Sequence, residues 1–89
     1  MPTPEGSNTH RALLHAEAAI EAMVRGDGQE AAHCVSRGYE RINLPVPAGG
    51  VRQRLEYLID SVYDADDGEA LFAAQVRNRL RALLREKRE

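Results

Sequence analysis

The chain has 89 residues, 43% of them hydrophobic and 29% charged, with a formal net charge of -2 and one cysteine. A chain of this length buries only about 60–65% of the surface it exposes when unfolded, so it makes a single domain with a thin core. One cysteine excludes an internal disulfide and a multi-cysteine metal site, and the lack of a run of about 18 apolar residues excludes a membrane-spanning helix.

With one Phe, three Tyr and no Trp, the core falls to Ala, Leu, Val and Ile. Small helical packing is expected. The opening stretch, MPTPEGSNTH, has neither the basic flank nor the apolar run of a signal peptide, so the cytoplasm is the expected compartment.

Pro2, Pro4 and Gly6 predict an irregular segment over 1–8, in which Ser7, Asn8 or Thr9 can accept a backbone N–H and cap a helix. The first helix is predicted over 9–25, with Leu13, Ala16, Ile20 and Met23/Val24 on one face. Gly26 suits a left-handed helix end, and Asp27 with Glu30 fits a capping box for a second helix over 29–43. So short a turn makes these two a hairpin, with Ala31, Val35, Tyr39 and Ile42 facing inward.

LPVPAGG, residues 44–50, reads as a connector, because two prolines and two glycines exclude a continuous helix. A third helix follows over 51–65, with Val51, Leu55, Leu58/Ile59 and Val62 on one face. After DADDG, residues 64–68, a fourth runs over 68–87 through Leu71/Phe72, Val76, Leu80 and Leu83/Leu84. Nothing has the period of a strand. The fold class is therefore all-α, one domain over 1–89, as a small antiparallel four-helix bundle.

The last fourteen residues, VRNRLRALLREKRE, carry six cations, of which Arg77, Arg81, Arg85 and Arg88 fall in a stripe about 80° wide beside the apolar face. Glu56, Asp60 and Asp64 have the same spacing on the third helix with the opposite sign. The two segments match at Val51/Val76, Arg52/Arg77 and Leu55/Leu80, which pairs Glu56 with Arg81 and Asp60 with Arg85 by position. Folding about DADDG would put Arg77 level with Glu56. Residues 1–75 hold 6 Lys+Arg against 12 Asp+Glu, a net of -6, so the body repels phosphate backbones and the stripe reads first as a solvated face. Without Trp it makes a poor membrane-surface helix.

No constellation of reactive groups emerges. His33 and Cys34 are neighbours whose side chains diverge by about 100° on a helix, which disfavours a thiolate–imidazole pair. Neither His10 nor His15 stands with Cys34 in zinc-ligand spacing. The run 64–68 lacks the glutamate of a calcium loop, Gln75 standing at its twelfth position, and AGG at 48–50 follows no strand. The expectation is a protein that is not an enzyme and has no cofactor or metal.

AIEAMVRGD at 19–27, Gly49–Gly50, LEYLIDSV at 55–62, and Gln75, Val76, Leu80, Leu83 and Leu84 together resemble, in order, the flagellar secretion chaperone family, the flagellin-specific export chaperones. The likeness spans about three quarters of the chain. Arg54, Ile59 and Ser61 stand where that family has Asn, Tyr and Tyr. The resemblance implies a non-enzymatic cytoplasmic protein that wraps amphipathic segments of an export client, by a helix-in-groove mode. The expected partner-binding residues are Ile42, Leu55, Ile59, Val62 and Tyr63, each of which also fits a core position. Two other readings stand beside it: a nucleic-acid-binding regulator using Arg77, Arg81, Arg85 and Arg88, and an obligate homodimer that completes its core across a two-fold axis.

Overall fold

The computed structural model describes residues 7–65 and 68–87. It contains four helices: α1 (Asn8–Val24), α2 (Gly28–Ile42), α3 (Val51–Asp64) and α4 (Ala70–Lys87). Of the three cap candidates for α1, Ser7 serves, its hydroxyl accepting the backbone N–H of His10 at 3.0 Å. Asp27 does the same for α2, accepting from Glu30 at 3.1 Å.

Gly26, at φ 81°, ends α1 in a Schellman turn: its N–H donates to the Met23 carbonyl and that of Asp27 to the Ala22 carbonyl. Asn43, at φ 59°, closes α2 in the same way, with the Leu44 N–H donating to the Tyr39 carbonyl. α4 starts at Ala70, two residues after the expected start, because Gly68 at φ 95° still belongs to the turn.

Both hairpins, α1–α2 and α3–α4, are antiparallel, as their short turns require. The two hairpins meet with α2 and α3 parallel. Ala31 and Val51 line one hollow, Tyr39 bonds the Arg54 carbonyl, and Ile42 shares a groove with Val62, so both helices advance in one direction. α1 and α4 are parallel as well, since His10 meets Glu69 while Glu17 and Glu21 meet Arg79. The order along the bundle is up, down, down, up.

A parallel α2–α3 pair needs a connector that travels back along the bundle. From Ile42 to the level of Ala31 is about 17 Å of helix rise, and with the gap between neighbouring helices the span is roughly 19 Å. The stretch 43–50 covers it in non-helical backbone, and Pro45 and Pro47 favour the extended polyproline form, which advances about 3.1 Å per residue.

The core gathers Leu13, Ile20, Val35, Tyr39, Leu55, Leu58, Ile59, Val62, Val76 and Leu80, all buried. Alanines 12, 16, 19 and 22 form the inner face of α1, so α2 packs close to it. α1 and α3 also touch across the diagonal, whereas α2 and α4 stay apart. Gly38 permits the closest approach: a Cβ there would stand 2.6 Å from Leu58 Cδ2 and 3.4 Å from the Ala12 carbonyl oxygen. Gly38→Val is accordingly expected to destabilise the fold by about 1–3 kcal/mol, since overpacking outweighs the relief of a mid-helix glycine. Urea unfolding checks this, and an unchanged midpoint would contradict the packing described.

Candidate functional site

The apolar residues expected to meet a partner divide into two sets. Leu55 and Ile59 are fully buried at 0% exposure and Val62 is at 1%, because the face that carries them is the one on which α2 and α4 close. A partner reaches neither Leu55 nor Ile59 while the bundle is shut, which corrects their assignment as contacts. Ile42 is half-buried and Tyr63 is 40% exposed.

Ile42 and Val62 nevertheless lie together, in a groove of about 410 Å³ at one end of the bundle. Leu44, Val62, Ala65 and Ile42 supply its apolar surface, and Asn8, Thr9, Arg41, Asn43 and Ser61 its polar rim. The geometry follows from the up-down-down-up order. At this end α1 begins, α2 ends in its left-handed Asn43 and α3 ends at Asp64, so three helix termini splay around a hollow that no side chain among the described residues fills. Leu44 is 37% exposed and Val46 44%, so the connector extends the apolar surface away from the groove.

Tyr63 faces a different side. The Arg77 guanidinium lies 4.9 Å from its ring centroid, a cation–π contact, and one Arg77 amine stands 3.7 Å from Asp60. Arg77 is therefore occupied within the bundle. Glu56, Asp60, Arg77, Leu80 and Arg81 line a cleft of about 150 Å³ between α3 and α4, so Glu56 and Arg81 share a cleft as their spacing suggested, while Asp60 pairs with Arg77 rather than Arg85. The register is one turn away from that obtained by folding at DADDG. Arg81 and Arg85 are exposed, and Arg88 lies outside the described residues.

Several contacts went unseen in the sequence because they join residues about sixty positions apart. Arg79 forks between Glu17 at 2.7 Å and Glu21 at 3.3 Å, clasping α4 to α1. His10 Nδ1 lies 3.0 Å from Oε1 of Glu69, a carboxylate 5% exposed, and the imidazole also packs against Phe72 at 5.1 Å between centroids. The i, i+4 spacing of Glu17 and Glu21 was the available signal for the first; nothing local marks the second.

Cys34 is buried, its Sγ 3.6 Å from Glu30 Oε2; burial first, and then the Glu30 carboxylate, push its thiol above the usual range and keep it protonated. Among the described residues no three His, Cys, Asp or Glu side chains are grouped to hold a metal ion, and no helix is long and apolar enough to cross a membrane. No family model, curated protein or solved structure matches the chain, which leaves the end groove with its three helix termini as the candidate site on its own chemistry.

Proposed function

We propose that this is a non-enzymatic cytoplasmic protein that binds an amphipathic segment of a protein client, as a chaperone or adaptor of the flagellar-export type would. The groove lined by Ile42, Leu44, Val62 and Ala65 carries the reading. Its volume of about 410 Å³ falls in the roughly 300–1,000 Å³ range of sites that enclose a ligand, and its apolar floor suits aliphatic side chains of a helix. Arg41 on the rim puts a positive charge beside that floor, and the opening turn of α1 offsets part of the negative ends of α2 and α3. The client segment that matches carries an acidic residue within one turn of its apolar anchor.

The resemblance at 19–27 and 55–62 supports the same class of activity, with the contact set moved from Leu55 and Ile59 to Ile42 and Leu44, above a floor that the buried Val62 closes. Affinity capture from the native host, followed by mass spectrometry, tests it when run beside a Leu44→Asp variant. Leu44 is partly exposed, so its helical circular dichroism should stay unchanged while recovery of the client falls at least tenfold. Recovery of both proteins only as isolated monomers, or equal recovery of the same client by both, overturns the proposal.

A further inference from the structure

On the outer face of the α1–α2 hairpin a pocket of about 250 Å³ is lined by His15, Arg37, Glu40 and Arg41. Arg37 and Arg41 are four residues apart on α2, so both guanidinium groups project from one face. His15 meets them from α1, half-buried. Among the described residues neither arginine has an ion-pair partner, in contrast to Arg77 and Arg79. Two arginines against Glu40 leave a local charge of +1 with His15 neutral, and +2 with it protonated. On a body whose net charge over 1–75 is -6, that is a confined positive spot.

We propose that this pocket binds a tetrahedral oxyanion of the phosphate or sulfate class, gripped by Arg37 and Arg41, with His15 as a third donor that takes up a proton from solvent as the anion arrives. Planar guanidinium groups present paired N–H donors that match two oxygens of such an anion. A long nucleic-acid backbone is disfavoured, because the net charge of -6 over residues 1–75 repels an extended run of phosphates. The pocket is distinct from the end groove but shares Arg41 with it, whereas Arg37 and His15 belong to the pocket alone.

The electrostatics of His15 supply the coupling. Burial, then Arg41, then Arg37 hold its imidazole below the usual 6.5, and Glu40 opposes them. Those three α2 groups are the charges acting on it across the hairpin, and Arg11 precedes it by one turn on α1. An anion between the arginines cancels their repulsion and raises the imidazole again. Between the free and bound values, binding takes up one proton, so affinity rises as pH falls through that window and levels off below it.

Sulfate is the probe, because its charge stays fixed over the range in which histidine titrates. NMR titration should move the amides of Arg37 and Arg41 and the His15 ring, saturably, with tighter binding at pH 5.5 than at pH 7.5, by up to about tenfold per pH unit for one linked proton. The double variant R37Q/R41Q, at two exposed positions, should weaken binding at least tenfold at both pH values. His15→Gln should leave weaker binding that no longer depends on pH, a result that a purely structural role for His15 would not give. Parallel titrations with inorganic phosphate and a phosphoserine peptide identify the source: equal affinity assigns a free anion, tighter peptide binding a phosphorylated protein. Shifts that fail to saturate, or binding unchanged in R37Q/R41Q, overturn the proposal.

Discussion

Tyr39→Ala is expected to cost about 3–5 kcal/mol, a large share of the roughly 4–13 kcal/mol that holds a domain of this size folded. Tyr39 is at 0% exposure in the seam where α2 meets α3, and its ring stacks on that of Tyr57 with centroids 6.3 Å apart. Its hydroxyl donates to the Arg54 carbonyl at 2.6 Å, spanning the two hairpins. Tyr39→Phe keeps the ring and loses only that bond, at about 1–3 kcal/mol, the cost of leaving a partly buried carbonyl without its donor. Urea unfolding of both variants separates the two contributions, and equal losses would mean that the ring packing is incidental.

The same hydroxyl gives a pH signature. Burial, with the neighbouring Tyr57 next, pushes it up from the usual 10 to about 12. In the unfolded chain the phenol ionises from about pH 10, whereas in the fold it stays protonated, so the stability it contributes is complete below pH 10 and is lost progressively as pH rises towards 12. Tyr39→Phe should flatten the stability curve across that interval.

Deleting Leu44–Ala48 should abolish the native arrangement altogether. Four links then join Ile42 to Val51, reaching at most about 14 Å against the roughly 19 Å that a parallel α2–α3 pair demands. The α3–α4 hairpin could not dock with Leu58 against Gly38 or Tyr39 against Arg54, and the loss exceeds the whole stability of the domain. A replacement of the same five residues by a flexible Gly/Ser stretch restores reach and should fold, with a smaller loss for the freer unfolded chain. Thermal melting followed by circular dichroism distinguishes them. A cooperative, unshifted melt in the deletion variant would mean that the helices do not need the crossover.

That crossover is where reading from sequence stopped short. Periodicity and capping placed the four helices to within two residues, because Ser7, Asp27, Gly26 and the leucine spacing act locally. The direction of α3 relative to α2 is not a local property. Two prolines in LPVPAGG announce extended backbone, but whether it turns back or travels is decided by which packing buries Leu58 beside Gly38. Periodicity likewise identifies an apolar face without saying how completely neighbours seal it. Leu55 and Ile59 were therefore legible as apolar and not as inaccessible, whereas the groove at Ile42 and Val62 exists only because three helix ends converge. The pocket that gathers Arg37 and Arg41 with His15 is equally invisible until α1 lies beside them.

Because α1 and α4 are parallel, Ser7 and Glu86 lie at opposite ends of the bundle, so tension applied through these two ends pulls the helices past each other along their length. The Arg79 fork to Glu17 and Glu21 then resists as a lateral bolt, its bonds loaded together rather than unzipped one at a time. A tether of this shape holds better against a steady pull than a hairpin opened from one side.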